Sequence, residues 1–108
     1  MRVAFGYFKK HFLMSDLEIA ARRQAIVDCA GANNCVLIAL FIDELETAPE
    51  ELHKALAAVM EVDDGLLILP NLLHLAAVGN PIELRQHLLA SHVEVVLSEV
   101  PKQAGRVC

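Results

Sequence analysis

Residues 35–42 read Cys-Val-Leu-Ile-Ala-Leu-Phe-Ile, eight apolar residues without a charge or a turn former. The run is too short for an ordinary helix and carries no polar face, so it reads as a strand covered on both sides. Strands of that kind belong to parallel sheets, where helical crossovers shield both faces. The pattern therefore predicts Cys35–Ile42 in the interior of a sheet and requires a helix on each side of it in sequence.

Both helices are signalled. Ser15-Asp16-Leu17-Glu18 is a capping-box pattern, in which the Ser hydroxyl takes the amide three residues on and the Glu reaches back. The helix it opens should stop at Gly31 and the Asn33-Asn34 pair. Beyond the apolar run, Thr47-Ala48-Pro49-Glu50 repeats the capping-box spacing, with Pro where a first-turn amide needs no partner. Leu52, Leu56, Val59 and Met60 then line one helical face. Further out, Arg2–Phe8 reads as a first strand and Gly65–Leu69 as a third, preceded by the turn Asp63-Asp64-Gly65 and closed by Pro70. Asn80-Pro81-Ile82-Glu83 opens a third helix reaching about Ser91, and Val93–Leu97 is a fourth strand. Strands alternating with helices in this way predict a three-layer α/β fold: a central parallel four-stranded sheet with helices on both faces. Residues 1–100 form one domain in this reading and residues 101–108 a flexible tail.

Composition narrows the class. The 108 residues are 56% apolar and 21% charged, with a mean hydropathy of +0.45, which excludes a disordered chain. Three cysteines, at 29, 35 and 108, cannot all pair and do not make a disulfide framework. The net charge of −5 speaks against a general nucleic-acid binder. Leu66–Val78 is interrupted by Pro70, Asn71 and His74 and is shorter than the roughly 20 residues of a membrane span. Lys9, Lys10 and His11 precede any hydrophobic run, so no signal peptide is expected. Thiols taken as free and no export signal make the cytoplasm the expected compartment.

In an open parallel sheet, chemistry gathers at the carboxyl ends of the strands. Those ends are Lys9–Met14, Asp43–Glu46 and Pro70–Gly79. Gly6 stands alone, so neither a phosphate loop nor a dinucleotide fingerprint is present. His11 could accept a phosphoryl group with help from Lys9 and Lys10, but no carboxylate in sequence reach orients its ring, and a solvated loop histidine is the favoured reading. Asp43, Glu44 and Glu46 could hold Mg²⁺; a solvated acidic turn is favoured. His53, His74, His87 and His92 include no i, i+4 pair and there is no Cys-x-x-Cys, so no metal and no other cofactor is expected. Cys29 and Cys35 read as packing residues and Cys108 as a tail thiol.

The opening Arg2-Val3-Ala4-Phe5-Gly6-Tyr7-Phe8-Lys9-Lys10-His11 resembles the start of the serine recombinases (resolvases and invertases), whose catalytic domain begins with a strand ending Gly-Tyr-x-Arg-Val-Ser. The resemblance extends over about residues 2–99. Gln24–Gly31 is similar to the end of the family's first helix, Ile42-Asp43 to its strand-ending Asp, and Leu52–Val59 to the helix after its Arg-containing loop. Asp64–Leu69 is similar to its Gly-Asp-hydrophobic strand, and Val93–Glu99 falls where its next strand runs. The resemblance implies strand order 2-1-3-4. It also exposes departures. The nucleophilic Ser becomes His11 and the Arg before it Lys9. The Asp-Arg pair becomes Leu73-His74, the following Arg becomes Ala77, and the Arg of the loop after the second strand has no counterpart in Glu44–Glu51. Phosphoryl transfer needs such guanidinium groups to hold charge on the phosphate oxygens, and losing one donor of this type costs about 10²–10³ in rate. The resemblance with these departures implies a catalytically inactive domain, with vestigial positions Lys9, His11, Leu73, His74 and Ala77. Family enzymes continue into a long dimer-forming helix and a DNA-reading module, for which 108 residues leave no length.

Two surfaces are then expected to matter. Leu72, Leu73, Leu75 and Val78 replace the family's charged loop and are candidates for an interface with a protein partner or a second copy; the alternative is a short helix tucked onto the sheet. Lys9, Lys10, Arg22 and Arg23 could converge into one basic patch, compatible with weak nucleic-acid binding at most.

Overall fold

The computed structural model describes residues 2–10, 13–44, 48–99 and 106–107, with Ala77 and the last two described by their backbone. In chain order these form β1 (Arg2–Lys9), α1 (Asp16–Ala32), β2 (Cys35–Asp43), α2 (Glu50–Met60), β3 (Leu66–Leu69), a 3-10 helix (Leu72–Val78), α3 (Pro81–Ala90), β4 (Glu94–Leu97) and β5 (Arg106–Val107). All strand pairs are parallel, in the order β2-β1-β3-β4-β5. The α/β fold and the 2-1-3-4 order of its first four strands are those expected. The two-residue β5 adds a fifth strand beside β4, within the stretch expected as a flexible tail, because its backbone pairs with Val96 and Leu97.

The local signals act as written. The Ser15 hydroxyl accepts the Glu18 amide at 3.2 Å and the Glu18 carboxylate reaches back to the Ser15 amide, so the capping box starts α1. Asn80 Oδ1 accepts the amides of Ile82 and Glu83 and starts α3. The turn into β3 puts Asp64 at φ +53°, a left-handed conformation that Asp tolerates better than most residues.

The interior position of Cys35–Ile42 is corrected. β2 is an edge strand, and none of Cys35–Ile42 is buried; Val36 is 44% and Ile38 56% exposed. The fully buried strand is β3, whose Leu66, Leu67, Ile68 and Leu69 have no accessible surface. Both strands are apolar because α1 and α2 lie against opposite faces of the sheet and each touches both β2 and β3. An apolar run reports covered faces, and says nothing about whether a neighbouring strand covers the edge.

Alternation along the strands divides the core. Phe5, Tyr7, Leu67, Leu69, Val95 and Leu97 face α2, α3 and the 3-10 helix. Ala4, Phe8, Leu66, Ile68 and Val96 face α1 through Ile26, Cys29 and Ala30. Each large side chain removed from water in these layers contributes about 1.5–3 kcal/mol. Gly6 lets α1 approach: a Cβ there would lie 2.6 Å from Ile26 Cγ2 and 2.7 Å from Leu40 Cδ1.

The candidate interface is corrected in the same layer. Leu75 is fully buried in the α2-side core, and Leu72 and Val78 pack against that core. Only Leu73 projects outward, at 76% exposure. The segment takes the tucked-helix alternative because a 3-10 turn sets side chains three apart on one face, and 72, 75 and 78 share that spacing. Cys35 is a free thiol, but the expectation that Cys29 is also free is corrected, since Cys29 is disulfide-bonded. Cys108 lies outside the described residues. No helix among the described residues is long and apolar enough to cross a membrane.

Candidate functional site at the carboxyl edge of the sheet

β1 and β2 end side by side, with Lys9 in register with Asp43. Asp43 is 4% exposed, and both carboxylate oxygens are used. Oδ2 accepts the Tyr7 hydroxyl at 2.8 Å and the Leu52 amide at 3.1 Å, and Oδ1 accepts the Glu51 amide at 3.0 Å. The carboxylate therefore satisfies the first amides of α2 and lies at the positive end of its dipole. The expected solvated acidic turn is corrected at this residue: Asp43 is a buried structural cap, with no free oxygen pair for Mg²⁺. α2 begins after Pro49 without a cap from that residue's side chain, and the Thr47 of the expected second capping box lies outside the described residues, as does Glu46. Burial and the Asp43 carboxylate together hold the Tyr7 hydroxyl well above its ordinary pKa, so it stays a donor.

A second cluster forms where the 3-10 helix passes the end of β1. His74 Nδ1 accepts the Lys9 amide at 2.9 Å, and Nε2 faces Arg22 Nη1 of α1 at 3.3 Å. Arg22 Nη2 lies 3.6 Å from Glu99 Oε2, just beyond β4, and Glu99 Oε1 accepts Asn71 Nδ2 at 3.1 Å. Burial, with Arg22 and Lys9 nearby, lowers His74 to a pKa of about 4, so the ring is neutral at physiological pH. A neutral imidazole has one acceptor nitrogen and one N–H. Both ring nitrogens face donors, and the shorter contact, to the Lys9 amide, assigns the acceptor to Nδ1 and the ring proton to Nε2.

The fold thus brings together Lys9 and His74, two of the positions expected to be vestigial, and adds Arg22 from the expected basic patch. Lys10 pairs with Glu44 at 3.3 Å, and Arg23 is exposed on the next position of α1. Leu73 points to solvent, Ala77 lies farther along the 3-10 helix, and His11 lies outside the described residues. Asn71 and Glu99 were not singled out in the sequence; the only hint was their position just after the third and fourth strands. His53, His87 and His92 sit apart, on α2, on α3 and in the turn that follows it. Among the described residues no three His, Cys, Asp or Glu side chains converge as a metal site. At the opposite edge, a cleft of about 460 Å³ is lined by Arg2, Arg85, His92 and Glu94. There Arg2 is already committed to Glu94 at 3.1 Å and to the Asp64 carbonyl at 3.0 Å. No known protein-family model and no curated protein sequence matches the chain.

Proposed function

We propose that this chain is a catalytically inactive, serine-recombinase-like domain that acts as a protein-interaction or regulatory module, docking on a protein partner or a second copy. The observation that carries the reading is the internal neutralisation of the carboxyl edge. Arg22 is held by Glu99 and Lys10 by Glu44, and a neutral His74 stands at the position of a family arginine. A phosphoryl-transfer site requires the reverse, positive groups left free to meet charge developing on phosphate. The exposed apolar side chains Val36, Ile38 and Leu73 support the docking half of the reading.

The test incubates the protein with DNA carrying recombination sites. The expected result is no nicking and no denaturant-resistant protein–DNA adduct, and none with His11→Ser, because one hydroxyl does not replace the missing guanidinium groups. A covalent adduct formed by the unmodified chain refutes the inactive-domain reading. Light scattering of the parent beside an Ile38→Glu/Leu73→Glu variant tests docking on a second copy, and a mass above the monomer that falls in the variant is the supporting result.

A further inference from the structure

Two hydrogen-bond donors face one another in the His74 cluster. The Lys9 amide and Arg22 can both only donate, and a neutral ring has one acceptor; the shorter contact, 2.9 Å to the amide against 3.3 Å to Arg22, assigns Nδ1 as that acceptor and the proton to Nε2. Arg22 Nη1 then faces that N–H. Among the described residues, Nε2 meets no other polar group. With Nε2 protonated, the two N–H groups do not bond to each other, and an oxygen seated beside both would relieve the contact.

The acceptor already present serves the neighbouring donors. The Glu99 carboxylate spans Arg22 Nη2 and Asn71 Nδ2, so one side of the corner holds an oxyanion drawn from the chain itself. Among the described residues, the other side, formed by His74 Nε2 and Arg22 Nη1, has donors and no oxygen. Lys9 and Arg22 both bring positive charge to His74, and Glu99 is the carboxylate that offsets Arg22.

We propose that Arg22, His74 and Asn71 form a receptor for a small oxyanion, a carboxylate or phosphate, and that Glu99 is an internal plug the ligand must displace. One ligand oxygen would accept from both His74 Nε2 and Arg22 Nη1, while the others take the place of the Glu99 oxygens on Arg22 Nη2 and Asn71. Only binding is involved, with no bond made or broken in the ligand. The site goes beyond the interaction-module reading and does not depend on it.

The test titrates inorganic phosphate, with acetate as the carboxylate arm, into the parent, Glu99→Gln and Glu99→Gln/Arg22→Gln. Long-range ¹H–¹⁵N spectra report the His74 ring nitrogens, and circular dichroism melts confirm folding. Removing a carboxylate a few ångströms from the bound anion should tighten phosphate binding in Glu99→Gln by at least about tenfold over the parent. The shift should centre on His74 Nε2, the bound anion should raise the ring's pKa from its value of about 4, and the double variant should lose both effects. Acetate following phosphate with lower affinity supports the same corner. If the double variant fails to fold, Glu99→Gln/Arg22→Lys, which keeps the charge without the two-pronged fork, should bind more weakly than Glu99→Gln. Equal binding by Glu99→Gln and the parent overturns the proposal. So does tighter binding that leaves His74 unshifted or survives the loss of Arg22.

Discussion

Replacing Asp43 by Ala should destabilise the domain by about 3 kcal/mol. Two losses add in that figure. The amides of Glu51 and Leu52 lose their acceptor at the start of α2, and removing a helix cap costs about 1 kcal/mol, up to 2. The Tyr7 hydroxyl, on a fully buried side chain, loses the group it donates to at 2.8 Å, and an orphaned buried polar group costs about 1–3 kcal/mol. Tyr7→Phe removes the hydroxyl together with its need for a partner and leaves Asp43 on the two amides, so it should cost only about 1 kcal/mol. The double variant should therefore cost less than the two single changes combined, with a coupling of about 1 kcal/mol. Urea unfolding followed by circular dichroism measures all four proteins, and in a domain near this length each kcal/mol also moves Tm by roughly 4–8 °C. An Asp43→Ala protein within about 0.5 kcal/mol of the parent, or strictly additive variants, refutes the assignment of Asp43 as the buried cap that joins β1, β2 and α2.

His74 should make the fold sensitive to acid: its pKa falls from 6.5 unfolded to about 4 folded, so the unfolded chain takes up a proton the folded ring refuses. The resulting stability is complete above pH 6.5 and is lost as pH falls towards 4, roughly 3 kcal/mol for the full shift; urea midpoints across that window should slope in the parent, and an equal slope in His74→Gln would assign the loss elsewhere. Leu75→Ala should cost about 2–5 kcal/mol because the side chain is fully buried, whereas Leu73→Ser should stay within about 0.5 kcal/mol; thermal melts that reverse this ranking would refute the placement of the 3-10 helix. Gly6→Ala should cost about 1–3 kcal/mol by pushing Ile26 and Leu40 off their positions, and an unchanged melting curve would show that α1 does not press on β1 as described.

Local pattern was enough to define most of the elements. Apolar runs of strand length and the cap patterns at Ser15 and Asn80 depend on neighbours a few residues away, so the first four strands, the three α-helices and their alternation were legible within a residue or two, while β5 was not. Alternation in turn imposed parallel strands with helices on both faces. Which strand lies inside the sheet was a different matter. Cys35–Ile42 and Leu66–Leu69 have the same apolar character, and only the lateral order, with β3 between β1 and β4, decides that β3 is buried and β2 is an edge.

The candidate site divides along the same line. Lys9 and His74 drew attention at the sequence level through the family resemblance, but their contact spans 65 positions and follows from how the 3-10 helix crosses the end of β1. Asp43 read as one acid in an exposed turn; the register that sets it beside Tyr7 and under α2 makes it a buried cap. Leu72, Leu75 and Val78 read as surplus surface until tertiary packing placed them on the core. Short-range pattern fixes what a segment becomes, because its free energy is local. Burial and partner choice depend on what the rest of the chain brings alongside, which no local pattern encodes.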